Sequence, residues 1–209
     1  MLFVRKYDPL IHHRRSIRLR GYDYSRAGRY FITICCQGHI CLFGTIENGK
    51  IMLNDAGKMI EKWHLQLPNK FNDIELGPFV VMPNHFHANI IITDSPNVRA
   101  DLCVRPDNMH PENVRPDNMH PISKGEHGID DPGEHVGSPL PHVVQWFKTM
   151  TTNEYIRGVK NLGWERFDGK LWQRNYYEHI IRDEKSYNAI SEYIINNPAK
   201  WIDDKFYNH

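Results

Sequence analysis

Hydrophobic and polar positions change their period several times along this chain, and each change marks an element. Arg29–Cys36 (RYFITICC) is β-branched and aromatic and predicts a core strand. Ile40–Glu47, then Asn48-Gly49, then Lys50–Leu53 predict a hairpin with an Asn-Gly turn. Asn54 or Asp55 caps a helix running to about Leu67, where Met59, Ile60, Trp63 and Leu67 recur at helical spacing and predict one buried face. Pro68 and Asn69 end it. Ile74–Met82 and Phe86–Thr93 read as two strands joined at the Pro83-Asn84 turn. After a long break, Val143, Phe147, Met150 and either Tyr155 or Ile156 predict a helix within Pro139–Gly158. Lys170–Ile181 (KLWQRNYYEHII) predicts a bulged or bent strand. Asp183 then caps a last helix, Glu184–Asn196, with Tyr187, Ile190 and Ile194 as its buried face and Pro198 as its stop.

Without the early hairpin, the order is strand, helix, strand, strand, helix, strand, final helix. That is a split βαβ, ferredoxin-like pattern in the α+β class, with an antiparallel sheet and helices on one face. The sheet's other face would be open and able to carry a site. The break between the fifth strand and the next helix, residues 94–138, is rich in Pro, Gly, Asp and His. It repeats VRPDNMHP at Val104 and Val114, a period of ten, and Gly-Glu-His at Gly125 and Gly133. So few large apolar residues cannot order a segment this long, which predicts an expanded, disordered insertion inside one domain. The expected division is a basic arm over 1–29, a domain over 30–202 interrupted at 94–138, and a tail over 203–209.

Charge refines this division. The net charge is +1, yet residues 1–29 hold eight Lys or Arg against Asp8 and Asp23. A basic arm on a near-neutral body fits a polyanion partner, and it equally fits a soluble frayed end. No apolar run approaches a membrane span, and Arg5, Lys6 and Asp8 interrupt any leader-like stretch, so a cytosolic protein is expected. Cys35, Cys36, Cys41 and Cys103 lack zinc-ribbon spacing and are expected as reduced thiols.

Candidate chemistry centres on Pro83–Ile92 (PNHFHANIII). Side chains two apart on a strand share a face, so His85 and His87 stand together while Phe86, Ala88, Ile90 and Ile92 face the core. Two imidazoles so placed suit one divalent metal. They also suit a plain polar face. On the last helix, Tyr193 and Asn197 are spaced i, i+4 and share a face. The structural alternative is that Tyr193 packs at the core edge and Asn197 caps the helix before Pro198.

Taken together, VVMPNHFHANIII, RRSIRLRGYDYSRAGRYFITI (Arg14–Ile34), LWQRNYYEHIIRD (Leu171–Asp183) and EYIINNPAKW (Glu192–Trp201) resemble the REP-associated tyrosine transposases, a branch of the single-tyrosine HUH transposases. The likeness covers nearly all of 12–202 except the insertion, which departs from the family pattern. It implies a ferredoxin-like domain whose C-terminal helix carries the catalytic tyrosine, cutting single-stranded DNA at or beside a hairpin. It further implies Tyr193 as nucleophile, His85, His87 and Asn197 as ligands of Mg²⁺ or Mn²⁺, and a 5′-phosphotyrosine intermediate. A phenol is a poor nucleophile at neutral pH, and a cation that polarises the phosphodiester addresses that weakness. Arg14, Arg15, Arg18 and Arg20 of the arm, with Lys148, Trp172 and Arg174, are candidates to bind the DNA, through phosphates or stacked bases. Expected partners are single-stranded or hairpin DNA, without a membrane, in a monomer or homodimer associated with the nucleoid. A domesticated relative that binds hairpin nucleic acid without cutting it is the alternative.

Overall fold

The computed structural model describes residues 23, 24, 26–94 and 140–207. Arg14, Arg15, Arg18 and Arg20 lie outside them, as does the insertion beyond Asp94. The described elements are β1 (Gly28–Cys35), β2 (Gly44–Glu47), β3 (Lys50–Leu53), α1 (Asp55–Leu65), the one-turn α2 (Leu67–Lys70), β4 (Ile74–Val81), β5 (His85–Ile92), α3 (Leu140–Asn161), β6 (Tyr177–Ile181) and α4 (Glu184–Asn196). A 3₁₀ turn over Pro198–Asp203 follows α4.

Four strands form one antiparallel sheet in the order β4-β5-β1-β6, and β2 pairs with β3 beside it. With the hairpin set aside, this is the ferredoxin-like order. Alternation explains the layering. Tyr30, Ile32 and Ile34 of β1 and Phe86, Ala88, Ile90 and Ile92 of β5 are all buried in the main core. Met59 and Ile60 of α1 and Val143, Phe147 and Tyr155 of α3 fill that core from the helical side. The hairpin turns at Asn48 (φ 52°) and Gly49 (φ 73°), two consecutive positive φ values of the kind Asn-Gly accommodates. Asn54 Oδ1 accepts from the Gly57 N–H at 2.9 Å and starts α1; Asp183 Oδ1 accepts from the Ser186 N–H at 2.7 Å and starts α4.

Three expectations need correction. The strand expected over Lys170–Ile181 pairs as a strand only from Tyr177, apart from one bridge between Trp172 and Cys36. The carbonyls of Gln173, Arg174 and Asn175 are drawn instead to the Lys148 ammonium, at 3.0, 3.4 and 3.2 Å, so they are turned away from a ladder. Pro68 and Asn69 do not end the helical path of the first helix: α1 ends at Leu65 and both residues lie inside the one-turn α2, with Pro68 near its start, where no N–H is required. α4 runs Glu184–Asn196 as expected, and Pro198 opens the 3₁₀ segment after it. The third correction concerns the second sheet face, which is not open. α4 and the segment after it cover it, and Val80, Met82, Ile194 and Trp201 form a second small core there. On α4 only Ile194 is fully buried, while Tyr187 and Ile190 are half-buried at the margin. Among the described residues no helix is long and apolar enough to cross a membrane.

One core side chain was not anticipated. His64 of α1 is fully buried against Phe79, Phe86 and Phe147, and neither ring nitrogen has a hydrogen-bond partner. Burial pushes its pKa down from 6.5 to about 3. The folded state therefore holds the neutral ring while the unfolded chain takes up a proton, so this contribution is complete above about pH 6.5 and drains away as pH falls. His64→Leu is expected to raise stability by about 1–3 kcal/mol, by removing unpaired buried polar atoms. It should also flatten, without abolishing, the loss of stability between pH 6.5 and pH 4, since His85 carries a shift of the same sign. Denaturant unfolding at several pH values checks both; an unchanged slope together with a lower midpoint would reject this account.

Candidate active site

Strand register builds the site. β1 and β5 pair so that Thr33 lies opposite His87 and Cys35 opposite His85, which places these side chains on the face under α4. His85 and His87 are 0% and 1% exposed, and their Nε2 atoms lie 3.1 Å apart. Asn84 donates from Nδ2 to the carbonyls of His39 (3.0 Å) and Phe206 (2.7 Å), so its Oδ1 is left as an acceptor facing His85 Nδ1 at 2.8 Å. That arrangement assigns the ring proton of His85 to Nδ1 and a lone pair to Nε2. On His87, Nδ1 lies 2.8 Å from Thr33 Oγ1, and the neighbouring Ile32 carbonyl also accepts from the ring. The β1 side thus takes the ring N–H, and the Nε2 lone pair of His87 faces that of His85.

Two lone pairs meeting at this distance repel unless a cation lies between them. Their separation matches two nitrogens at right angles on one ion with bonds of about 2.1 Å, which span about 3 Å. Burial pushes His85 down to about 3 and His87 well below 6.5, so both rings are neutral and able to ligate at pH 7. Two oxygen donors stand nearby. The ligating atoms of His85, His87 and Asp204 all lie within 4.8 Å of one another, the one such cluster of His, Cys, Asp or Glu among the described residues. Asn197, 2% exposed at the end of α4, donates from Nδ2 to Asp204 Oδ2 at 3.1 Å, and its Oδ1 is buried without a hydrogen-bond partner. The donor set fits a divalent cation of the Mn²⁺ or Mg²⁺ kind.

Tyr193 enters from α4. Its hydroxyl lies 3.4 Å from His87 Nε2, and its ring packs edge-on to Phe31 at 6.1 Å. The ring is 41% exposed, so it has solvent on one side and the imidazoles on the other. Burial, then the Asp204 carboxylate, raise the phenol pKa above 10, while a hydrogen bond from the Asn197 amide opposes them.

The structure thus brings His85, His87, Tyr193 and Asn197 together within one chain. It does not bring Trp172 to them. That indole is 5% exposed in the main core and donates to Thr151 Oγ1 at 2.9 Å, so no face is left for a base. The Lys148 ammonium is held by three carbonyls, and burial pushes its pKa down to about 8. Arg174 is exposed. Residues missed from the sequence include Asp204 and Phe206, both assigned to a tail; Phe206 packs on His85 with centroids 4.8 Å apart. The signal for them was the pairing of acids with Phe206 and Tyr207, too aromatic for a frayed end. Thr33, one polar residue in an apolar strand, was the other overlooked cue.

No family model matches the chain. An uncharacterized protein of Haemophilus influenzae is 38% identical over 205 residues, spanning 97% of each chain. The chain belongs to that protein's family. Two solved structures are similar at lower identity. A REP-associated tyrosine transposase bound to a REP hairpin is 17% identical, with 88% of this chain and 73% of that one covered and a TM-score of 0.49. A protein from Deinococcus radiodurans R1 is 15% identical over 86% of this chain and 95% of its own, with a TM-score of 0.42.

Because the Asp204 carboxylate helps hold the Tyr193 phenol up, Asp204→Asn is expected to lower that pKa toward 10 in metal-free protein. Tyrosine-selective NMR titration, with Tyr193→Phe to assign the resonance, reads the shift. A phenol that titrates identically in both proteins would show that the carboxylate does not act on it.

Proposed function

We propose that this chain is a metal-dependent, single-stranded DNA nicking and strand-transfer enzyme of the REP-associated tyrosine transposase type, acting at or beside hairpin DNA. The observation that carries this reading is the approach of the Tyr193 hydroxyl to the His85–His87 pair inside one subunit, at 3.4 Å from His87 Nε2. The motif resemblance supports the same roles for the same residues. Held by His85 and His87 with Asn197 or Asp204 completing the set, Mg²⁺ or Mn²⁺ would supply Lewis-acid polarisation of the scissile phosphate.

The chain's own groups do the rest. β1 and β5 hold both imidazoles neutral and aimed at one point through Thr33 and Asn84. α4 presents the phenol oxygen from its half-exposed edge, where a phosphate can approach. That oxygen bonds to phosphorus as the bond to the 3′-oxygen breaks, and the proton lost by the phenol balances the one gained by the 3′-hydroxyl. The 5′-phosphotyrosine keeps the phosphodiester's energy, so a later 3′-hydroxyl can rejoin the strand. Tyr177, 51% exposed, with the Lys205 ammonium 5.0 Å over its ring, and exposed Arg174 offer stacking and charge for the strand beside the site. Arg14, Arg15, Arg18 and Arg20 are proposed phosphate contacts, and the assembly proposed is a monomer acting in cis.

End-labelled hairpin DNA with single-stranded flanks, incubated with the protein and Mn²⁺, is expected to give a covalent adduct that resists denaturing electrophoresis. Tyr193→Phe, His87→Ala and chelator should each remove it. Calorimetry should show one Mn²⁺ bound per wild-type chain and at least about tenfold weaker binding in His85→Ala. Salt-sensitive hairpin binding with no adduct under any condition would replace this reading with a binding module that does not cut.

A further inference from the structure

The phenol reaches the imidazoles only if α4 lies on the sheet in one lengthwise register. Most of what holds α4 there is apolar: Ile194 and half-buried Ile190 pack against Val80, Met82 and Phe31. Apolar packing tolerates sliding and rotation far better than a directional bond does. At the helix start, Arg29 lies 4.7 Å over the Tyr187 ring and pairs with Glu184, but this pair is exposed to solvent. At the helix end, Asn197 bonds to Asp204 on the following segment, not to a sheet strand. Between them lies Asn89 of β5, fully buried, whose Nδ2 donates to Ser191 Oγ of α4 at 3.2 Å.

Asn89 is the third member of the row that begins with His85 and His87, two residues further along the same strand face. Ser191 stands two residues before Tyr193. One hydrogen bond therefore ties the histidine-bearing strand directly to the tyrosine-bearing helix. The chain tolerates an imperfect arrangement to keep it, because Asn89 Oδ1 is buried without a hydrogen-bond partner. Local packing is also cut to fit. A Cβ on Gly77 of β4 would stand 2.8 Å from Asn89 Cβ and 3.0 Å from the Tyr187 hydroxyl, so only glycine lets β4, Asn89 and α4 approach this closely.

We propose that Asn89 and Ser191 form a positioning pair that fixes the register of α4 on β5 and so sets the reach of the Tyr193 hydroxyl toward the His85–His87 pair. Neither side chain is a catalytic residue; they act through the helix. The inference rests on the strand-transfer reading for its kinetic consequence, but its geometric content stands without it.

The experiment compares wild type with Asn89→Leu, Ser191→Ala and Ser191→Thr in the full chain. In the metal-free protein, the nuclear Overhauser effect between the Tyr193 and His87 rings, whose centroids lie 5.4 Å apart, reads the register directly. Asn89→Leu and Ser191→Ala are expected to weaken that effect while Mn²⁺ affinity and thermal midpoint stay the same or rise; Ser191→Thr, which keeps the hydroxyl, should retain it. Adduct formation should fall about 10- to 100-fold in kcat with KM for DNA little changed, as expected when a reacting atom is displaced by about an ångström. An unchanged Overhauser effect in both Asn89→Leu and Ser191→Ala overturns the proposal, as does one that disappears only when the variant also unfolds. A wild-type protein that forms no adduct defeats the strand-transfer reading alone, since the ring-to-ring effect and Mn²⁺ affinity still decide this one.

Discussion

Strand β5 has to satisfy two environments at once, and the rest of the molecule is arranged around that demand. Its even positions meet the helices α1 and α3 as an ordinary apolar core. Its odd positions, His85, His87 and Asn89, are just as buried, under α4 and the chain's last turns. Burying imidazoles is tolerable only in their neutral form and with their N–H groups engaged. Thr33 on the neighbouring strand and Asn84 in the turn meet that condition, each at 2.8 Å. Once the outer nitrogens are committed, the inner ones have no choice but to face each other. The convergence of two lone pairs on one point, where a cation could sit, is thus a by-product of how a sheet accommodates two buried histidines.

Much of this was legible in the residues. Period-two alternation in PNHFHANIII placed both imidazoles on one face and the core on the other, because a pleated strand leaves no alternative. The i, i+4 spacing of Tyr193 and Asn197 fixed their shared helical face for the same reason. What escaped reading depends on long-range geometry. The second sheet face was expected to be open, because covering it needs α4 to fold back and the segment after Pro198 to keep turning, neither of which local pattern shows. Asp204 comes to the site only through that return. The stretch from Leu171 to Tyr176 looked like a strand by composition, yet Lys148, on a different element, claims its carbonyls. His64 shows the opposite failure: helical periodicity marked its neighbours Met59, Ile60 and Trp63 as buried, and polarity hid a residue fully buried among them.

The site is also asymmetric in its access. The imidazoles are sealed, while Tyr193 and Tyr177 keep 41% and 51% of their surface in solvent. A long polymer can therefore reach the phenol without the protein opening its core. The tyrosine sits on a helix held partly by solvent-exposed contacts, whereas the histidine pair sits on one of the two central strands of the sheet. The imidazoles therefore stand on the more rigid support and the phenol on the more adjustable one.

The place where β5 ends has its own consequence. The chain leaves this strand at Ile92, seven residues past His85 and so about 23 Å along the strand from it, and is next described near α3, which starts at Leu140. A substitution confined to that exit therefore acts on the end of the strand remote from both imidazoles, and the strand's own length separates it from their register.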